Sequence, residues 1–282
     1  MDDRSEAVKA ADFVPERDPN LDGVILEALE IAGINVGASV YLSDLQSKRY
    51  GQWRAREDVY PASVIKVPIM AEAFRRFAQG SLKPDDPIVV SSKNQTTTSG
   101  PAPFSPGYKT TIGELVDFMI VHSDNVATNQ LMDELGRQNV TEYMHALRMQ
   151  TFLLGRKLSG SEPLIEDPEM SGRNRLPALE VGRLLELIAC DAIDGAAEQR
   201  AVLARCADKE KLVPGLAPDD VFMHKTGETS SVSHDAGILT TPGGKQYVVV
   251  LYCEVEPRAD NSDAAWVNPA MTDWMRAVRE NL

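Results

Sequence analysis

The chain has 282 residues, 43% of them hydrophobic and 25% charged, a composition typical of a globular protein that buries a large core. Its 29 Lys and Arg against 42 Asp and Glu leave a net charge of −13, which argues against nucleic acid or an anionic membrane as a partner. No apolar run approaches the roughly 18 residues that a membrane span needs. The three cysteines form no disulfide framework and have no metal-ligand spacing, so we expect neither a metal nor another cofactor.

Helical and strand patterns alternate along the chain in a simple order. A loose N-terminal arm is predicted over residues 1–19, because this stretch is charged and lacks periodicity. Apolar residues then recur at helical spacing from Leu21 to Ala32, and a β-hairpin follows. Further helices are predicted at about 63–79, 111–121, 126–136, 138–148, 178–191, 196–206 and 263–281, and strands at about 221–228, 236–241 and 246–254.

This order predicts an α/β protein of the α+β type. Residues 20–58 and 207–282 should form an antiparallel five-stranded sheet flanked by the terminal helices. A mostly helical second domain, residues 59–206, should be inserted between the two halves of the sheet domain. We therefore expect strands from both ends of the chain to meet in one sheet.

One polar cluster, Ser63-Val64-Ile65-Lys66, has the spacing of an activated nucleophile. A lysine three residues after a serine in a helix places amine and hydroxyl on the same face. A desolvated lysine near a second ammonium can lose its proton and accept one from the hydroxyl. Alone, the pattern is weak, since many helices contain it by chance.

Two further clusters strengthen the interpretation of Ser63 as a nucleophile. They are Ser123-Asp124-Asn125 and, near the C-terminus, Lys225-Thr226-Gly227. The three elements in this order are the known signature of class A β-lactamases and penicillin-binding proteins. The chain therefore resembles the penicillin-recognising serine hydrolases, class A branch, over roughly residues 20 to 282. The resemblance implies the same β-lactamase-like fold that the order of elements predicts.

The resemblance also implies roles for the first two clusters. Ser63 would attack an acyl carbonyl, and Lys66 would take its proton. Ser123 would relay a proton to the leaving nitrogen, and Asn125 would hold the substrate amide. Asp124 has the character of a residue that ties its loop together.

The third cluster would bind the substrate. Lys225 and Thr226 can bind a carboxylate, and Gly227 lets the strand backbone approach a ligand closely. The N–H of Glu228 would complete the oxyanion hole, although its carboxylate stands where small neutral residues are usual and could repel an anionic substrate. His234 aligns with an arginine that reads the substrate carboxylate in many relatives. It could do so only when protonated, and the alternative is a histidine bonded to its neighbours.

The base that activates the hydrolytic water is the least certain part of the pattern. In class A enzymes a glutamate followed by proline fills this role from an irregular loop, and Glu162-Pro163 lies in such a loop. The asparagine expected four residues later is replaced by Glu166. Glu162 is the candidate base, Glu166 or Glu169 is the alternative, and a loop without a competent base remains open.

These residues predict a class A β-lactamase-like serine hydrolase that opens β-lactam amides through an acyl-enzyme, with slow deacylation. The alternatives are a D-alanyl-D-alanine peptidase, amidase or esterase of the penicillin-binding family, and a sensor module that acylates without turnover. We expect a monomer with a small-molecule substrate, a β-lactam or an acyl-D-alanine-like compound. Relatives are exported, which favours a periplasmic or secreted protein, but the acidic start shows no signal peptide, so the cytoplasm stays open.

Overall fold

The computed structural model describes residues 14–98, 103–160, 164–258 and 263–282. Glu162, the candidate base, lies outside the described residues. Among the described residues, no helix is long and apolar enough to cross a membrane. The elements in chain order are β1 Glu16–Arg17, α1 Pro19–Ala32, β2 Ala38–Asp44, β3 Arg49–Trp53, α2 Lys66–Gln79, β4 Pro87–Val89, β5 Lys109–Thr111, α3 Ile112–Val121, α4 Asn125–Leu135, α5 Arg137–Ala146, α6 Ala178–Ala189, α7 Ala196–Leu203, β6 Val221–Glu228, β7 Val232–Thr240, β8 Gln246–Glu254 and α8 Asn268–Arg279.

A six-stranded sheet in the order β1-β3-β2-β8-β7-β6 joins the two ends of the chain. The pairing of β2 with β8 is antiparallel and places strands from the N-terminal and C-terminal segments side by side. The α+β fold class with a sheet built from both chain ends is therefore confirmed. Strand β6, which carries Lys225-Thr226-Gly227, lies at the edge of this sheet and pairs only with β7 within the described part of the chain.

Strict alternation along the strands divides the interior into two apolar layers. In β8, Tyr247, Val249 and Leu251 pack toward the terminal helices α1 and α8, where Trp274 is fully buried. Val248 and Val250 point the other way, into a second layer formed with the helices between α2 and α7. The sheet is thus covered on both faces, and the helical side holds the predicted nucleophile.

The structure corrects the prediction in three places. The sheet has a sixth strand, β1, formed by two residues that pair in parallel with β3, so the predicted loose arm is wrong at its end. Helix α1 already begins at Pro19, after an Asp18 side chain that caps Asn20 N. The α-helix predicted from residue 63 begins only at Lys66, because Ala62–Ile65 form a 3-10 turn.

Helix α6 lies close against the sheet because Gly182 faces the ring of Tyr41. A Cβ on Gly182 would stand 2.2 Å from Cδ1 of that ring. The ring cannot move away cheaply, since Tyr41 is fully buried, donates its hydroxyl to Glu186 at 2.6 Å and stacks on Tyr50. The absence of a side chain at position 182 is therefore a packing requirement.

We predict opposite effects for two glycine-to-alanine substitutions in helices. Gly182→Ala should destabilise the protein by about 1–3 kcal/mol, because an extra methyl group overpacks a rigid site. Gly23→Ala in α1, where nothing lies within 4 Å of the added Cβ, should stabilise it by about 0.5–1 kcal/mol through helix propensity alone. Urea unfolding measures both, and equal effects of the same sign would contradict this account of α6.

Candidate active site

Ser63 and Lys66 meet as the sequence predicts, but through a different local structure. In a 3-10 turn, side chains at i and i+3 eclipse each other, so the hydroxyl and the amine point the same way. Lys66 Nζ donates to Ser63 Oγ at 3.0 Å. The turn thus brings the predicted nucleophile and its predicted base into direct hydrogen-bond contact.

The amine of Lys66 is the centre of the cluster. Besides Ser63, it contacts Ser123 Oγ at 3.0 Å, the carbonyl oxygen of Ser123 at 2.7 Å and Asn125 Oδ1 at 2.9 Å. All four acceptors are uncharged, and the side chain is completely buried. Burial, together with the nearby charge of Lys225, holds the pKa of Lys66 well below its usual value, although Asp124 opposes the shift. A lysine in this state can act as a base near neutral pH.

Two residues next to this amine adopt left-handed backbone conformations that L residues rarely occupy. Ala62 has φ 46° and directly precedes Ser63, and Ser123 has φ 57°. Such conformations cost on the order of 1–3 kcal/mol each and persist only where surrounding structure enforces them. At position 123 the conformation directs both the hydroxyl and the carbonyl oxygen toward Lys66.

Asp124 and Asn125 hold the second cluster in place. Asp124 caps α4 by accepting from Ala127 N at 2.6 Å, and its other oxygen accepts from the Thr98 hydroxyl at 2.9 Å. It therefore ties the loop before α4 to a neighbouring segment, as its residue type indicates. Asn125 donates from Nδ2 to Thr97 O at 3.1 Å, while its oxygen accepts from Lys66.

The third cluster reaches Ser63 through the backbone of β6. A Cβ at Gly227 would stand 3.1 Å from Ser63 N and 3.0 Å from Pro61 O, so only glycine allows this approach. Strand alternation places Lys225 on the same face as Gly227, and Thr226 and Glu228 on the other. The N–H groups of Ser63 and Glu228 are therefore the candidate oxyanion hole.

Lys225 is completely buried and donates to Thr226 O at 2.7 Å. Burial lowers its pKa, while Cys206, Asp208 and Asp235 oppose the shift. Thr226 lies close enough to Asp208 to help lower the pKa of that carboxyl. Lys225 and Thr226 thus lie at the edge of the cluster, and Lys225 is already bonded within the protein.

Glu228 has a partner that sequence reasoning missed. Its carboxylate accepts from Lys211 Nζ at 2.6 Å, and Asp208 lies 3.4 Å from the same amine. The Lys211 side chain is only 2% exposed, whereas that of Glu228 is 29% exposed. These carboxylates, together with Asp235, keep the pKa of Lys211 above its usual value despite burial. The only available signal was a lysine in the polar segment before β6, which is too weak to single it out.

His234 does not take the role of a carboxylate reader. Its Nε2 donates to Tyr60 O at 2.8 Å, and its Nδ1 accepts from Cys253 N at 3.2 Å. The ring is completely buried and stacks on Tyr252, and burial lowers the pKa of His234 to about 4. The residue is uncharged at neutral pH, so the predicted charge-reading role is replaced by the alternative of a histidine bonded to its neighbours.

The long loop between α5 and α6 uses its described carboxylates elsewhere. Asp167 forms two hydrogen bonds, of 2.7 and 2.8 Å, with the buried guanidinium of Arg137, and it also accepts from Lys157 N. The Glu169 side chain is 82% exposed and lies 3.3 Å from the same guanidinium. Glu166 is exposed as well. Neither alternative base, Glu166 nor Glu169, is thus drawn into a buried centre.

The loop instead approaches α4 through an apolar residue, Leu158. Asn129 lies one helical turn after Asn125 and binds both backbone groups of Leu158, accepting from its N–H at 2.8 Å and donating to its carbonyl at 2.9 Å. Leu158 is buried and apolar, so the loop residue that Asn129 holds beside this helix supplies neither an acid nor a base. Sequence reasoning missed both residues, because an asparagine inside a helix carries no distinct signal.

The site combines a serine in contact with a buried lysine of lowered pKa, a second serine on the same amine, and a strand glycine packed against the N–H of the first serine. Such an arrangement can support acyl transfer. Together with a sheet that is built from both chain ends and covered on both faces, it defines the class of serine β-lactamase folds. The sequence matches the β-lactamase enzyme family over residues 25–270. The chain therefore belongs to the β-lactamase enzyme family.

Solved structures show the same fold. PBP-A superposes with a TM-score of 0.80 at 20% identity, over 95% of this chain and 97% of that chain. A β-lactamase from Sphaerobacter thermophilus gives 0.77 at 24% identity, over 90% of this chain and 95% of that chain. An ancestral class A β-lactamase gives 0.79 at 23% identity, over 92% and 100% of the two chains. A PBP-A variant solved as an acyl-enzyme complex with penicillin-G gives 0.80 at 19% identity, over 95% and 98% of the two chains. A search of curated proteins finds no matching sequence.

We predict that Lys66→Arg slows acylation of Ser63 by at least about two orders of magnitude, as expected when a general base is lost. Arginine cannot give up its proton at accessible pH, so this variant has no general base at position 66. The rate of β-lactam labelling, followed by intact-mass spectrometry, measures the effect, and circular dichroism verifies folding. A near-native rate in this variant would place the base elsewhere.

We also predict that His234→Gln makes the protein less sensitive to acid. The unfolded chain binds a proton at His234 as the pH falls below about 6.5, but the folded chain does so only near pH 4. Stability is therefore full above pH 6.5 and falls by up to roughly 3 kcal/mol toward pH 4, and glutamine removes this component. Urea unfolding across this range, with His122→Gln as control, should show a shallower loss only in the first variant. An unchanged loss would contradict a neutral buried His234.

Proposed function

We propose that the protein is a class A β-lactamase-like serine hydrolase that opens β-lactam amides through an acyl-enzyme on Ser63. Lys66 accepts the Ser63 proton as the hydroxyl oxygen attacks the carbonyl carbon. The N–H groups of Ser63 and Glu228 stabilise the oxyanion, and Ser123 passes a proton to the leaving nitrogen. Water then attacks the ester and releases Ser63 with the hydrolysed product.

The observation that carries the proposal is the position of the buried Lys66 amine between two serine hydroxyls. Its contacts of 3.0 Å to both Ser63 and Ser123 allow one group to accept a proton on the nucleophile side and return it on the leaving-group side. Burial and the nearby charge of Lys225 favour the uncharged amine that this relay requires. Family membership and the class A neighbours support the same reaction class.

Deacylation is proposed to be slow. Water attack on the ester needs a base within hydrogen-bond reach and a second group that fixes the water. In the described part of the loop, Asp167 is paired with Arg137, Glu166 and Glu169 are exposed, and Leu158 occupies the segment bound to Asn129. Glu162 remains the candidate base. The acyl-enzyme should therefore form faster than it decays.

The second candidate is a D-alanyl-D-alanine peptidase or related penicillin-binding protein that acylates without efficient hydrolysis of the β-lactam adduct. It is favoured by the apolar Leu158 and by the likeness to PBP-A, a variant of which forms an acyl-enzyme complex with penicillin-G. A sensor module that never turns over would share these features. The lifetime of the adduct separates the hydrolase from the other two candidates.

We predict that benzylpenicillin gives an adduct of its full mass on the wild-type protein that accumulates and decays slowly. Ser63→Ala should abolish it while leaving the fold intact. Intact-mass spectrometry over time measures formation and decay. A transient adduct identifies a hydrolase, a lasting one a penicillin-binding protein or sensor. Labelling that persists in Ser63→Ala, or no labelling of the wild type, would overturn the assignment of the site.

Two variants then test the loop. Glu162→Gln should slow decay further if Glu162 is the base, and Leu158→Glu should speed it by placing a carboxylate on the segment held beside α4. Leu158→Gln is the matched control, since it introduces a polar group of the same size without a base. Fast decay in the wild type with no loss in Glu162→Gln would contradict slow deacylation through this loop.

A further inference from the structure

The site contains several groups suited to a substrate carboxylate, yet in this structure each is engaged with another group of the protein. His234 is bonded to backbone on both sides, and Thr226 lies close enough to Asp208 to help lower the pKa of that carboxyl. Lys225 is completely buried and donates to a carbonyl oxygen. The ammonium of Lys211 also lies beside the substrate-binding end of β6, 2.6 Å from Glu228.

Lys211 is held by the carboxylate of Glu228. The two charged groups lie 2.6 Å apart, and the exposure of Glu228 against the nearly complete burial of Lys211 places the carboxylate on the solvent side of the ammonium. A charge-assisted hydrogen bond of this length is among the stronger contacts a protein makes. Glu228 therefore occupies, within the chain itself, the contact that a carboxylate arriving at this strand would make.

The position of Glu228 on β6 places the Glu228–Lys211 pair next to the proposed oxyanion hole. It follows Gly227, whose backbone packs against Ser63 N, and its own N–H belongs to the proposed oxyanion hole. A substrate carboxylate near this strand would meet the Glu228 charge at short range, in partly buried surroundings where repulsion is weakly screened. A neutral acyl compound would meet no such penalty.

We propose that Glu228 and Lys211 form a specificity-determining pair that makes the site discriminate against acyl donors carrying a carboxylate at this end. Lys211 is the cation that would bind that carboxylate, and Glu228 occupies its ammonium. Among acyl donors, β-lactams included, the site then reacts faster with those that are uncharged there, and carboxylate-bearing ones react more slowly. This inference rests on the proposed acyl transfer to Ser63 and adds the class of substrate that the site selects.

The test compares benzylpenicillin, an anion, with its neutral methyl ester. The quantity measured is the ratio of their second-order acylation rates on Ser63. Glu228→Gln keeps the size of the side chain but weakens its hold on Lys211, so the ratio should rise about tenfold or more in favour of the anion, the effect of one charge-assisted hydrogen bond. Glu210→Gln is the matched control, because it removes one negative charge from an exposed residue that makes no ion pair with Lys211 in the described structure.

A double variant tests whether the rise in the ratio of acylation rates depends on the Lys211 ammonium. Glu228→Gln combined with Lys211→Gln should lose the increase, since the cation released by the first substitution is gone. An unchanged ratio in Glu228→Gln, or the same rise in Glu210→Gln, would overturn the inference while leaving the proposed function intact. A gain that survives in the double variant would also overturn it, because Lys211 would then not read the carboxylate. Failure of both compounds to label any of the proteins would overturn the proposed function itself.

Discussion

One buried amine organises the candidate site. An ammonium without a carboxylate partner is costly to bury. Lys66 can be buried because four neutral oxygens lie within hydrogen-bond distance of its amine. Those acceptors come from the 3-10 turn before α2 and from the loop before α4. The strained backbone at Ala62 and Ser123 is part of this arrangement, since it aims the acceptors at Nζ. Without these acceptors the desolvated amine would be unsatisfied, which ties the helical part of the molecule to the candidate site.

The two faces of strand β6 have different polar environments. On one face, Gly227 touches the backbone of Ser63 and Lys225 adds its charge to the surroundings of Lys66. On the other face, Asp208 and Asp235 gather positive partners. His224 lies fully buried there, 2.7 Å from Asp235, and this carboxylate raises the pKa of His224 to about 9. The carboxylates on this face stabilise two buried cationic side chains, Lys211 and His224, beside the strand.

The sequence predicts those parts of the site whose geometry is local. Ser63 and Lys66 are three residues apart, and either a 3-10 or an α-helical turn brings them together, so the wrong helix start did not affect the contact. His234 could not be resolved in this way, because its state depends on Tyr60 and Cys253, which are distant in sequence. Strand β1 escaped prediction since two residues carry no periodicity. The sheet itself was predictable, because its long central strands alternate between two buried faces.

The groups proposed for acylation and those available for deacylation are held in place by different parts of the fold. The groups proposed for acylation lie on a 3-10 turn, a helix N-terminus and a sheet strand, all fixed by the main core. The groups available for deacylation belong to a loop that is secured by side chains instead, through Asn129 on Leu158 and Arg137 on Asp167. Because these anchors act on backbone atoms and on one ion pair, residues between them can change without affecting the acylating centre. A protein with this construction can keep its nucleophile while gaining or losing hydrolysis, and the apolar residue at the first anchor is the reason for the slow deacylation that we propose.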